Sequence, residues 1–162
     1  MAFKAKMQGR DALNRRLRQL APDAEKNAAE AKQQIAKDAA ATIASRAPIG
    51  PATNPITGKP RKAGAYRASI KGGFQRDMQG RIGVGQTKSK DPDAAGVYAE
   101  YIWRFLEFGT KPHVNKGIAP GTRHPGTSKQ PHIFPTWRAM QKKAHRKINA
   151  AVNKAVRKAM GK

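Results

Sequence analysis

Residues 11–46 read DALNRRLRQLAPDAEKNAAEAKQQIAKDAAATIASR, and this stretch decides the fold. Its apolar positions Leu13, Leu17, Leu20, Ala24, Ala28, Ala31, Ile35, Ala39 and Ile43 recur at steps of three and four, the spacing that places side chains on one face of an α-helix. Pro22 with Asp23 and Glu25 suits the first turn of a helix, where a missing N–H costs nothing and acidic groups meet the positive end of the dipole. The pattern predicts a short helix, a kink and then a long helix within 9–46. Pro48, Gly50, Pro51, Pro55, Gly58 and Pro60 must end it, so 47–65 reads as a flexible Pro/Gly-rich loop, basic through Lys59, Arg61 and Lys62.

At the other end of the chain the same period returns. Pro135 is placed for the first turn of a helix over 132–160 that carries Trp137, Met140, Ala144, Ile148, Ala151, Val152 and Ala155 on one face. Arg138, Lys142, Arg146 and Arg157 fall on the opposite face.

Between the helices, 66–110 reads as the β-rich core. Tyr66, Ala68, Ile70 and Phe74 alternate with Arg67, Ser69 and Lys71 as in a half-buried strand, although a first helical turn fits as well. Arg81-Ile82-Gly83-Val84-Gly85 repeats the alternation after Gln79-Gly80, which predicts a β-hairpin. The run from Val97 to Phe108 fits neither period cleanly and reads as helix followed by strand, with Gly109 ending it. Residues 111–131 then form a second long loop, rich in Pro and Gly. The order gives one α+β domain over 1–162: a long N-terminal helix, a small antiparallel sheet, a basic amphipathic C-terminal helix and long flexible loops.

Composition narrows the function. Only 38% of the 162 residues are hydrophobic and 6% aromatic, so the core is thin and needs neighbours to complete it. The 33 Lys and Arg stand against 10 Asp and Glu, a formal charge of +23 that favours polyanionic partners. From Met1 to Arg46 ten basic residues face five acidic ones, but after Glu107 thirteen basic residues follow with no acid. Without cysteine there are no disulfides, thiolate metal sites or thiol nucleophiles. No run is long and apolar enough to span a membrane, and the first residues lack the apolar core of a signal peptide, so a soluble protein made inside the cell is expected.

Catalytic constellations are weak. Glu100 and Glu107 might flank a scissile bond, but among so many cations an ion pair is the simpler expectation for both. His113, His124 and His132 are spaced eleven and eight apart, a pattern that matches no recurring zinc module. The glycines at 83 and 85 complete neither a dinucleotide fingerprint nor a P-loop, and Ser69 lacks a nucleophile elbow. No cofactor, no metal and no enzymatic role are expected. The strongest chemical signal is the cationic C-terminal helix, where Arg138, Lys142, Lys143, Arg146, Lys147, Lys154, Arg157 and Lys158 are candidates for contact with a polyanion. A non-specific basic nucleic-acid-binding protein is therefore one reading.

Three segments favour another. Ala47-Pro48, then Thr57-Gly58, then Tyr66-Arg67-Ala68-Ser69-Ile70 form the first; Tyr98-Ala99 leading to Phe105-Leu106-Glu107-Phe108-Gly109-Thr110 the second; Gln130-Pro131-His132-Ile133-Phe134-Pro135-Thr136-Trp137 the third. In order and spacing they resemble a family of small tail-completion or neck proteins of long-tailed, lambdoid-type phages. The chain departs from the family pattern at Tyr66, where Leu is usual, at His132, where Phe is usual, and at Thr136, where Ala is usual. The resemblance implies a structural virion protein, located at the head-tail junction or tail end. It would assemble with itself as a ring, a hexamer, and with head-closure or connector and tail-tube or tail-terminator proteins; DNA is a further possible partner and a membrane is not. It singles out Tyr98, Phe105, Glu107, Phe108, Gly109, Thr110, Pro131, Phe134, Pro135 and Trp137 as a structural or interface motif. Phe105, Phe108 and Gly109 are expected to pack against Ile133, Phe134, Pro135 and Trp137 as a buried hinge between the central element and the C-terminal helix.

Overall fold

The computed structural model of the protein describes residues 15, 19, 22–50, 60, 62–78, 82–85, 89–91, 93–117 and 120–161. Two long helices frame it: α1, Pro22–Arg46, and a second of nearly equal length, Phe134–Ala159. The short helix and kink expected ahead of Pro22 lie outside the described residues, apart from Arg15 and Gln19, which are helical.

The two long helices run antiparallel. Lys158 Nζ lies 3.1 Å from Asp23 near one end, Lys147 Nζ lies 2.8 Å from Asp38 midway, and Arg46 Nη1 donates to Thr136 Oγ1 at 3.2 Å at the other. Small side chains make the approach possible. Of the face expected from the period, Ile35, Ala39 and Ile43 are buried, joined by Ala36 and Ala40 beside them and Ala47 just past the helix end, and burying Ile43 alone is worth about 2 kcal/mol.

Between them lie α2 (Ala65–Ser69, a single turn), β1 (Lys71–Phe74), a 3-10 turn (Gln75–Asp77), β2 (Ile82–Gly83), β3 (Ala95–Ala99), α3 (Trp103–Phe108), β4 (His113–Val114) and β5 (Arg123–His124), before α4, Phe134–Ala159. This is the α+β class expected. The central sheet has the order β1-β3-β2 and both pairings are antiparallel, with Lys71 opposite Tyr98, Phe74 opposite Ala95 and Ile82 opposite Ala99.

Three expectations are corrected here. The strand expected from Tyr66 begins only at Lys71, because Ala65–Ser69 takes the alternative helical turn that its sequence also allowed. The β1–β2 hairpin does not form, since both strands flank β3. The later strand β3 takes the place between them, and β1 lies so close on α1 that a Cβ on Gly72 would overlap the carbonyl oxygen of Ala36. The run from Val97 to Phe108 is strand and then helix, the reverse of the expected order. It shows no clean period because two elements of different period share it.

The 111–131 segment is also more regular than expected. β4 and β5 pair with His113 opposite His124, and a bridge joins Thr110 to Thr127, so a β-ribbon replaces most of the loop. In the 47–65 segment, 51–59 and 61 lie outside the described residues.

Candidate functional site

Helix α4 begins with no capping side chain of its own, since its N-cap residue is Ile133. The free N–H groups of its first turn need acceptors from elsewhere. Glu107, at the end of α3 and 3% exposed, supplies them: its carboxylate accepts from the backbone N–H of His132 at 2.8 Å, Ile133 at 2.9 Å and Phe134 at 3.0 Å. A carboxylate at a helix N-terminus is favoured both by these charge-assisted bonds and by the dipole. The expected ion pair between Glu107 and Lys or Arg is therefore corrected: its partners are backbone groups, with the His132 ring 3.5 Å away. Glu100 is exposed.

Helix α1 is finished in the same manner at its other end. Arg67, from α2, donates through Nη2 at 2.6 Å and Nε at 3.2 Å to the carbonyl of Ala47. A cation thus meets the negative end of α1 and an anion the positive end of α4, and both come from the central segment. Each belongs to a motif of the family pattern, Arg67 to the first and Glu107 to the second.

The three positions that depart from that pattern meet one another. Tyr66 Oη lies 2.8 Å from His132 Nε2, while His132 Nδ1 lies 2.7 Å from the Gln130 carbonyl. The Nδ1–H tautomer satisfies both, with Tyr66 donating. Thr136 donates to the His132 carbonyl at 2.7 Å and accepts from Arg46. Burial, and then the charge of Glu107, push the Tyr66 phenol above its ordinary range. Ser69 donates to the Tyr66 carbonyl at 2.7 Å and accepts from the Glu100 N–H at 3.2 Å.

Around this polar centre the aromatic residues are arranged otherwise than expected. Phe108 does pack on Phe134, with ring centroids 5.7 Å apart, but it is 55% exposed and Phe105 is 47% exposed. Neither is core, and Trp137 is exposed as well. Geometry explains this: α3 has fewer than two turns, and Trp103 and Glu107, one turn apart, take its inward face. Trp103, 3% exposed and 6.4 Å from Phe134, is the buried aromatic that sequence reasoning passed over. Phe105 instead meets the exposed Tyr101 edge-on at 6.2 Å. Phe134 and Trp137 line a groove of about 470 Å3 between α1, β3 and α4, whose walls include Ile35, Ala39, Val84 and Val97.

Of the remaining motif residues, Tyr98 is buried on β3, Pro131 and Pro135 are exposed, and Pro135 sits in the first turn of α4 as expected. Thr110 and Gly109 form the root of the ribbon. Gly109 has φ +71° and Gly126 φ +90°, and a Cβ on either would stand 2.5 Å from a carbonyl oxygen of the opposite rail, Thr127 or Thr110. Only glycine fits such a crossing.

All eight cationic candidates on α4 are exposed. Lys147 and Lys158 are engaged by Asp38 and Asp23 of α1, partners more than a hundred positions away in the chain. His113 and His124 stack at 5.0 Å, but His132 is in the core, so the three do not meet. Among the described residues no cluster of three or more His, Asp or Glu could hold a metal, and no helix is long and apolar enough to cross a membrane.

Glu107 and Arg67 thus join the central segment to the two long helices, and the comparison with known families says what kind of protein this fold belongs to. The family described as "Bacteriophage HK97-gp10, putative tail-component" matches residues 11–109. The chain belongs to this family and is a structural tail component of a bacteriophage. It matches no curated protein and no solved structure at a significant level.

Proposed function

We propose that the protein completes the joint between head and tail, as a ring-forming neck or tail-end component without enzymatic activity. The observation that carries the reading is the exposure of large aromatic side chains on and beside α3, with Tyr101 at 63% and Phe105 at 47% packed edge-on against each other and Phe108 at 55% on the same short helix. Large apolar side chains gathered on one surface mark a site of protein contact. Closed rings use heterologous interfaces, one face of a subunit against a different face of the next. The assembly would be a hexamer, in keeping with the symmetry of phage tails, and its further partners are the head-closure or connector protein and the tail-tube or tail-terminator protein. The exposed cations of α4, Arg138, Lys142 and Arg146 foremost, suit acidic surfaces on such partners.

The test is electron microscopy of particles from a phage in which the gene is disrupted, with complementation by the intact gene. Separate full heads and finished or aberrant tails are the expected products, and a tagged copy should decorate the neck or tail end of wild-type particles. Normally joined, infectious particles without the protein would overturn the proposal.

The alternative, a non-specific nucleic-acid-binding protein of the host-nucleoid kind, predicts no defect in joining and no label on particles.

A further inference from the structure

We propose that the β4–β5 ribbon is a DNA-contacting arm, holding duplex DNA through its phosphates. The rails 110–116 and 121–127 are tied along their length: Asn115 N–H donates to the Thr122 carbonyl at 2.8 Å, Gly121 N–H to the Asn115 carbonyl at 2.9 Å, and Thr110 and Thr127 exchange both backbone bonds at 3.0 and 3.1 Å. The strand pairing itself is His113–Val114 against Arg123–His124, and six extended residues, from the Thr110–Thr127 bridge to the Asn115–Thr122 bond, reach about 20 Å. None of residues 111–117 or 120–125 is buried. The root is rigid, because the Gly109–Gly126 crossing fixes its entry and the Gln130 N–H, donating to the Leu106 carbonyl at 2.8 Å, ties the exit to α3.

Charge selects the partner. The rails carry Lys111, Lys116 and Arg123, all exposed, with His113 and His124 stacked between them and no acidic residue. None of these three cations has an ion pair among the described residues, whereas α4 is partly neutralised by Asp23 and Asp38. A protein partner would call for apolar or aromatic anchors. Val114, with the prolines Pro112 and Pro125, makes up the apolar side chains among the described residues of the rails, none of them aromatic, and the rest are cations, histidines, threonines, Asn115 and glycines. That inventory suits phosphate oxygens, and a two-stranded ribbon fits a groove of the duplex. The inference stands apart from ring formation, since it concerns one subunit and its arm.

The experiment measures binding of the full-length protein to a short mixed-sequence DNA duplex by fluorescence anisotropy over a range of salt concentrations. Two variants remove the same net charge: Lys111→Gln with Lys116→Gln and Arg123→Gln on the arm, and Arg138→Gln with Lys142→Gln and Arg146→Gln on α4. Thermal melting and the oligomeric state of each are recorded alongside. The arm variant should melt as the wild type does yet lose about 2.7 from the slope of log affinity against log salt, about 0.9 for each phosphate contact removed. The α4 variant should lose distinctly less. Equal losses in the two variants, a larger loss in the α4 variant, or no binding by the wild type at low salt would each overturn the proposal.

Discussion

Glu107 shows how little a residue's surroundings in sequence say about its work. It sits in an apolar run of a cationic chain, yet the three N–H groups that it holds lie twenty-five to twenty-seven positions away. Replacing it with Ala should cost on the order of 4 kcal/mol, because several charge-assisted bonds are lost and buried donors are left unmade. Glu107→Gln, with a single acceptor oxygen, should fall between; chemical denaturation measures both. The Tyr66–His132 pair offers a sharper comparison. Tyr66→Leu or His132→Phe alone strands a buried polar atom at about 1 to 3 kcal/mol, whereas the two together restore the apolar pair usual in the family. The double variant should be more stable than the sum of the single losses, by a coupling of about 0.5 to 3 kcal/mol. A strictly additive double variant would mean that the two do not act as a pair. Tyr66 also sets a pH dependence. Its folded pKa is raised, so its contribution is intact below the ordinary phenol value and is lost as pH rises beyond it. Melting temperature should decline on the alkaline side, less steeply in Tyr66→Phe, with phenolate absorbance from Tyr66 appearing only as the chain unfolds.

At the scale of elements, much was legible and the rest was hidden for definable reasons. The two long helices follow from their 3.6 period and from prolines at their starts, and the end of α3 from Gly109. Strand order was not legible. Segments as short as Lys71–Phe74 and Ile82–Gly83 carry no register information of their own; contact with α1 places the first and pairing with β3 the second. The motif residues were found, but their placement was not: alternation on a helix as short as α3 does not say which of Phe105, Glu107 and Phe108 points inward, and the polar residue does. Gly72→Ala tests the helix–strand contact. With backbone on both sides of the clash, the strand must move off α1, and a loss of about 3 kcal/mol is expected by thermal or chemical unfolding. A stable Gly72→Ala variant would show that β1 can shift at little cost.

For the molecule as a whole, the exposed Tyr101–Phe105 pair and the folded core make different contributions. Tyr101→Ser with Phe105→Ser removes side chains that are about half or more exposed, so the unfolding free energy of the isolated protein should stay within about 1 kcal/mol of the wild type. Assembly should fail nonetheless, seen as unjoined heads and tails when the variant is supplied to a phage lacking the gene. A fully functional double variant would locate the contact surface elsewhere. Trp103→Ala is the opposite case, costing about 3 to 5 kcal/mol and lowering the yield of folded protein before any question of assembly arises.

The long-range caps have a further consequence, for biosynthesis. Helix α1 is made early, but the carbonyl after its end waits for Arg67, its apolar face waits for the central sheet and α3, and the last part of that covering comes from α4, which follows every other described element in chain order. The nascent chain therefore passes most of its synthesis with the apolar face of α1 incompletely covered and closes late, in one cooperative step. Ribosome-bound chains arrested before residue 134 should be protease-sensitive throughout α1, and those extended beyond residue 159 and clear of the ribosome should become resistant together in both helices.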